Sequence, residues 1–286
     1  PAGRKAGAMK ALINRIIPFS NVDGPGNRCA IFFQGCPLHC AYCHNPETWR
    51  LCDHCGKCVP GCPAAALTIR DGQVHWDETR CVGCDQCIHV CPHHASCKVS
   101  ELTSDQLFEQ IAETFPFVQG ITVSGGECML YADFLTDLFR QVKAAGKTCL
   151  IDSNGVFAFE KYPELLALCD GVMLDMKAYD EPFHRQLTGA SNQQVLDNLI
   201  LLRDSGKLEE VRTVLLPQFP EQNARTVRAV NELLQGKIRY KLLRYRPFGV
   251  CEEGLQFCGR TMTPLAEAER LAQAEMDRGY FNCVVI

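Results

Sequence analysis

The chain has only two tryptophans in 286 residues, and aromatics make up 8% of it. It has no apolar run of the roughly eighteen residues that a membrane-spanning helix needs, so no such span is expected. Neither sign of charge dominates: 29 Lys and Arg face 33 Asp and Glu, a net charge of −4. That balance excludes a general attraction to nucleic acid or to an anionic lipid surface. The opening PAGRKAGAMK lacks the apolar centre of a secretory signal, and residues 1–8 read as an appended tag ahead of Met9. The expectation is a cytoplasmic protein. No serine triad or acid–base dyad stands out either. What the chain has in excess is cysteine, with 19. A reducing compartment disfavours disulfides, so these thiols point to metal or redox chemistry.

Eleven of the cysteines follow two spacing rules. Cys36, Cys40 and Cys43 read C-x3-C-x2-C. Cys52, Cys55, Cys58 and Cys62 read C-x2-C-x2-C-x3-C-P, and Cys81, Cys84, Cys87 and Cys91 repeat that pattern 29 residues later. The repeated run is the bacterial ferredoxin signature, in which three close thiolates and one distant one hold each [4Fe–4S] cube. By that rule one cluster takes Cys52, Cys55, Cys58 and Cys91, and the other takes Cys81, Cys84, Cys87 and Cys62. A zinc ribbon is the competing reading of C-x2-C, but zinc sites rarely repeat a triple-spaced run that ends in proline. The first group has three cysteines only, so one iron of its cube would lack a protein ligand. An open coordination site suits chemistry on a bound molecule, whereas a closed set suits electron transfer. A zinc knuckle completed by His39 or His44 is the alternative there. The other eight cysteines (Cys29, Cys97, Cys128, Cys149, Cys169, Cys251, Cys258 and Cys283) match no ligand spacing, and core packing is their default. Seven of the eight histidines lie between His39 and His94, as loop residues or as donors to cluster sulfurs.

Outside residues 46–100 the pattern alternates strand and helix. Strands are expected over 121–126, 148–155 with its turn, 171–177, 211–217 and 238–248. Helices are expected around Phe134, Leu138 and Val142, around Leu165, Leu166 and Leu168, and near 192–204, 221–235 and 263–278. Repeated βα units imply a parallel sheet with right-handed crossovers. Polar motifs fall at the carboxyl ends of these strands, where such folds place active sites.

The stretch GPGNRCAIFFQGCPLHCAYCHNPETW (24–49) resembles the glycyl radical enzyme activating enzymes of the radical SAM superfamily. The features that carry the likeness are the Gly26-x-Arg28 step, the three-cysteine loop and CHNPETW. With the tandem ferredoxin pattern behind it, the chain is nearest in likeness to the YjjW type. The resemblance implies a partial (β/α)6 TIM-like barrel over 9–45 and 101–286, with a ferredoxin-like α+β insert over 46–100. It implies three [4Fe–4S] clusters and S-adenosylmethionine (SAM). Cys36, Cys40 and Cys43 would hold the catalytic cluster. Tyr42, Ser124, Gly125, Gly126, Glu127, Asp152, Asn154, Asp175, Lys177 and Arg246 would contact SAM. In that reading the glycines allow close approach of the ligand, Asp152 meets the SAM ammonium, Asp175 the ribose and Lys177 the methionine carboxylate. The bland reading of Asp175 and Lys177 is a solvated ion pair at a strand end. Two departures stand out. Arg246 occupies the position where related activases carry histidine, and Gln218 the position of an expected glycine. Ser191 fits the family but also fits a plain helix N-cap.

The resemblance also implies the reaction. One electron splits SAM into methionine and a 5′-deoxyadenosyl radical, which takes hydrogen from a glycine of a partner glycyl radical enzyme. A flavodoxin or ferredoxin would supply the electron, and no nucleic acid or membrane partner is expected. The rival readings are a radical SAM enzyme acting on a small molecule and a ferredoxin-like electron-transfer protein.

Overall fold

The computed structural model describes residues 9–286, so the reading of residues 1–8 lies outside the described residues. The chain divides into two compact units, one of residues 1–37 and 45–145, the other of 38–44 and 146–286.

In the first unit β1 (Lys10–Ser20) runs antiparallel to β2 (Arg28–Phe33). Residues 46–100 then add two small ladders. One is a parallel pair, β3 (Arg50–Leu51) with β6 (Ala95–Ser96). The other is a hairpin, β4 (Leu67–Arg70) with β5 (Gln73–Trp76), and a single helical turn α1 (Gln86–His89) lies between it and β6. β7 (Ser100–Thr103) returns antiparallel to β1. Thr103 and Gln106 then form a reciprocal capping box that starts α2 (Ser104–Ala112). β8 (Gly120–Gly125) lies parallel to β2. α3 (Ala132–Ala144) buries Phe134, Leu135, Leu138, Phe139 and Val142, the stripe that helical periodicity indicates.

The second unit is wholly parallel in its strands: β9 (Thr148–Ser153), β10 (Gly171–Asp175), β11 (Leu208–Leu215), β12 (Arg239–Arg244) and β13 (Cys283–Val285), each paired with the next. Helices α4 (Pro163–Leu168), α5 (Glu181–Thr188), α6 (Gln193–Asp204), α7 (Pro220–Leu234), α8 (Glu252–Cys258) and α9 (Leu265–Met276) fill the connections. β2 and β8 of the first unit and β9 to β12 of the second supply the six parallel strands of the expected repeat. Periodicity did not indicate β1, β7, α5, α8 or β13. Six of the eight extra cysteines are buried, as core packing requires; Cys97 and Cys251 are half-buried. Burial pushes the Cys29 thiol up to about 11 and Cys169 up to about 12, which leaves both inert as nucleophiles.

Candidate active site

The three-cysteine loop is shared between the units, with Cys36 in the first and Cys40 and Cys43 in the second. In the first unit, β2 ends at Phe33 and the chain turns through Gly35, at φ +99°. The Gly35 amide donates to Thr48 O at 2.8 Å, and the Cys36 amide to Trp49 O at 3.2 Å. Gln34 is fully buried, and its side-chain amide donates to Glu47 O at 2.8 Å and Arg50 O at 2.7 Å. CHNPETW therefore closes back on the root of the cysteine loop. Gln34 is the residue that holds it there, and a glutamine at the end of an apolar strand was the overlooked signal.

Ser124, Gly125, Gly126 and Glu127 end β8 beside that root. A Cβ on Gly125 would sit 2.2 Å from Phe33 N, and one on Gly126 would sit 2.3 Å from Gly35 O. Gly126 N donates to Phe33 O at 2.9 Å, and Glu127 N to Gly35 O at 2.8 Å. The missing side chains thus admit the chain's own backbone. Glu127 is buried, and its carboxylate accepts from Met129 N at 3.0 Å, capping the next turn. Arg28 is also buried and donates to Thr122 Oγ1 at 2.7 Å and Ile121 O at 2.5 Å. A Cβ on Gly26 would meet Gln119 Oε1 at 2.0 Å. The Gly26-x-Arg28 step therefore fastens β2 to β8.

In the second unit the segment 38–44 is held by its backbone. His39 N donates to Thr188 O at 3.1 Å and Ala41 N to Leu187 O at 2.9 Å, both at the end of α5. His44 Nε2 lies 2.9 Å from Arg246 O. A Cβ on Gly254 would sit 1.9 Å from Ala41 O, so α8 too is fitted against this segment. Cys40 and Tyr42 are buried. Lys177 Nζ lies 5.5 Å from the Tyr42 ring centroid and donates to Asp175 Oδ2 at 2.8 Å. β10 ends at Asp175, so Lys177 reaches back from beyond the strand. The Lys177 side chain is 10% exposed and that of Asp175 31%, so the pair is buried on its cationic side and meets water on its acidic side. Burial alone would lower the Lys177 pKa, but Asp175, Tyr42 and Cys40 around it carry it well above the usual lysine range. Burial raises the Cys40 thiol and outweighs the Lys177 cation.

Asp152 meets a cation of the protein itself. Arg212 Nη1 lies 3.0 Å from Asp152 Oδ2, and Arg212 Nε 2.6 Å from Glu210 Oε1. Lys241 Nζ adds 2.8 Å to Glu210 Oε2. Register explains the grouping: Met173 of β10 pairs with both Asp152 and Glu210, while Arg212 pairs with Asp175 and Lys241. The signal was present in LEEVRTVL, since charges two apart inside an apolar parallel strand share one face. Asn154 accepts from Val156 N at 3.1 Å within its own turn. Arg246 has an exposed side chain. Ser191 Oγ accepts from Gln193 N at 3.3 Å at the start of α6, although Asn192 holds the cap position.

The repeated cysteines gather round two pockets in the first unit. One, with about 330 Å³ of space partly open to solvent, is lined by Cys62, Cys81, Cys84 and Cys87. The other, about 290 Å³, is lined by Cys52, Cys55, Cys58 and Cys91, with Cys87 and Cys97 also on its wall. Each set has three close thiols and one from the other repeat. Four soft thiolate donors with apolar walls fit an iron–sulfur cube. Backbone amides also reach ligand sulfurs, His54 N to Cys52 Sγ at 3.4 Å and Ala66 N to Cys62 Sγ at 3.3 Å. Two histidine rings turn elsewhere, His54 to Val74 N and His44 to Arg246 O, while His93 pairs with Asp53 within 4.8 Å of the Cys55 sulfur.

A sequence profile of the radical SAM superfamily matches residues 30–234. The chain belongs to the radical SAM superfamily. The choline trimethylamine-lyase activating enzyme of Oleidesulfovibrio alaskensis is 34% identical over 84% of this chain and 85% of its own. The pyruvate formate-lyase-activating enzyme of Streptococcus mutans is 29% identical over 84% and 80%. Among solved structures, Streptococcus suis SuiB bound to S-adenosylmethionine matches with a TM-score of 0.57 at 15% identity, covering 88% of this chain and 48% of that one. That likeness is one of fold. The chain is accordingly a radical SAM enzyme, with activating enzymes among its relatives.

Proposed function

We propose that this radical SAM enzyme activates a glycyl radical enzyme by generating a radical from SAM and passing it to a glycine of that partner. The observation that carries the reading is the match to activating enzymes over more than four fifths of this chain and at least four fifths of theirs. Cys36, Cys40 and Cys43 would hold a [4Fe–4S] cluster, which when bound supplies the electron that cleaves SAM. Around Cys40, Lys177 is kept protonated by Asp175 and offers a fixed cation to the methionine carboxylate. Tyr42 covers that cation and keeps water from it. The fused backbones of Phe33, Gly35, Gly125 and Gly126 fix where Cys36 stands.

Residues 46–100 act, in this reading, as a two-cluster relay that takes electrons from a flavodoxin or ferredoxin. What supports the relay is the attachment of the insert. Trp49 O accepts from the Cys36 amide, and the Trp49 ring meets His94 edge-on at 6.0 Å. Arg50 and Leu51 then pair with Ala95 and Ser96, beside Cys52 and Cys97. The 290 Å³ pocket is thereby joined to the root of Cys36 through a few residues. Such clusters are oxygen-labile, which fits anaerobic use in the cytoplasm.

The test is anaerobic reconstitution with dithionite and SAM, followed by assay for 5′-deoxyadenosine. Candidate glycyl radical enzymes are then added and a doublet glycyl radical signal is sought by electron paramagnetic resonance. Cys40→Ala should abolish cleavage. Cys84→Ala should keep single-turnover cleavage with dithionite but fail in sustained activation with the natural reductant. Cleavage of SAM with no radical on any glycyl radical enzyme would favour a small-molecule substrate.

A further inference from the structure

The two pockets of the insert are built from the same repeat, yet one dipeptide outside the repeat treats them differently. Cys97 and Lys98 follow β6, and neither belongs to a C-x2-C-x2-C-x3-C run. Cys97 lines the 290 Å³ pocket, and its neighbour Lys98 lines the 330 Å³ one. Cys97 shares the wall of that 290 Å³ pocket with both Cys58 and Cys87. Those two cysteines belong to different ligand sets, so one side chain stands on a wall common to both. The Lys98 side chain is 16% exposed and is anchored by an ion pair to Asp85, which is 51% exposed. Water screens the carboxylate, while the ammonium's field runs into the protein toward Cys81 and Cys87. Among the described residues the other pocket is set differently: its lysine, Lys57, is exposed, and so is Asp53, which pairs with His93 within 4.8 Å of the Cys55 sulfur.

We infer that the Cys97–Lys98 dipeptide makes the two insert clusters electrically unlike. Lys98 holds the cluster of Cys62, Cys81, Cys84 and Cys87 at the higher potential, and the Cys97 thiol gives its single S–H to one ligand sulfur, that of Cys58 or of Cys87. A cube gains one negative charge on reduction, so a nearby cation favours the reduced form. Hydrogen bonds to ligand sulfurs act in the same direction, and both raise the potential. Lys98 and Cys97 are tuning residues that act through the cubes, and they bind no substrate.

This inference rests on the reading of the insert as a two-cluster module, and the experiment keeps the two apart. The reconstituted holoenzyme is titrated with dithionite under redox control, reading iron content and the signals of the reduced clusters. Wild type should hold about twelve irons in three couples. Lys98→Met should lower one midpoint by about tenfold in its reduction constant, about 59 mV for one electron, and leave the other two in place. Lys98→Arg keeps the charge and should keep the midpoint. Cys97→Ala should lower one insert midpoint by a smaller step while iron content stays the same, and which midpoint moves shows whether the S–H goes to Cys58 or to Cys87. The inference is overturned if Lys98→Met moves no midpoint, or if Cys97→Ala loses about four irons, which would make Cys97 a ligand. A wild-type protein with about four irons and one couple would instead sink the reading of the insert itself.

Discussion

The two ends of the three-cysteine loop are made of different materials. At Cys36 the surroundings are backbone: glycines without room for a methyl group, and amides bonded to carbonyls across β2, β8 and CHNPETW. At Cys40 the surroundings are buried charge: Lys177, Asp175 and, on the neighbouring strands, Asp152, Arg212, Glu210 and Lys241. A backbone scaffold fixes position and carries no net charge, so it can place a ligand cysteine without altering the electrostatics there. A charged scaffold is soft in position but selects what binds. In the proposed function the first end would locate the cluster and the second would recognise SAM.

The comparison breaks most sharply under two substitutions. Gly126→Ala drives a methyl group into Gly35 O, which is backbone and cannot rotate away. The expected loss exceeds about 3 kcal/mol, at or beyond the top of the usual overpacking range. Gly206→Ala is the control: nothing lies within 4 Å of the added methyl group, so only its left-handed φ of +69°, a strain that Gly126 does not share, costs anything, about 1 kcal/mol. Melting of the two variants side by side measures the difference. Arg212→Met comes next. It takes the guanidinium away from Asp152 and Glu210, whose side chains are 14% and 1% exposed, and should destabilise by about 3 kcal/mol. Glu210 keeps Lys241 at 2.8 Å, which places the loss at the low end for a broken buried pair. A loss no larger than that of Gly206→Ala would mean the charge network is solvated and the proposed contrast is false.

Much of this was legible in the residues. The parallel strands announced themselves as apolar runs ending in glycine or acidic turns, and the exchanged cysteine sets follow from the ferredoxin spacing. Three things were not legible, each for a physical reason. The glycines of SGGE look the same whether a ligand or the chain's own backbone fills the space, because sequence does not show the partner. Arg212 and Glu210 sit two apart in a strand, but their partner Asp152 is 60 residues away from Arg212 and meets it only through register. Cys97 falls outside every spacing rule, and only the folding of β6 against β3 brings it to the wall of the 290 Å³ pocket.

A smaller effect tests the recognition end directly. Lys177→Met removes the cation while keeping the bulk under Tyr42. SAM affinity of the reconstituted protein should fall by about tenfold to a hundredfold, the loss expected for a charge-assisted hydrogen bond. The iron content should not change, because Lys177 is no ligand. Equal SAM binding by equilibrium titration would remove Lys177 from the site and leave Asp175 as an acid with a structural partner only.

The smallest effect concerns the platform on which the Cys40 end rests. His184 is fully buried in α5, one turn before Leu187 and Thr188, whose carbonyls hold Ala41 and His39. Its Nδ1 lies 2.8 Å from Ala190 O, and burial, then the nearby Lys177 and Arg185 cations, hold its pKa below the ordinary value of 6.5 against the pull of the Ala190 carbonyl. The sign follows from linkage. Above 6.5 both folded and unfolded chains carry neutral histidine and stability is unaffected. Below it the unfolded chain takes up a proton that the folded one refuses, so stability falls as the pH drops from 6.5 toward the depressed folded value. Titration of His184 should thus loosen the charged end first. His184→Gln, which still offers a donor to Ala190 O, should flatten the fall in melting temperature between pH 7.5 and pH 5.5. An unchanged slope in that variant would assign the acid sensitivity to other groups and leave α5 a passive support.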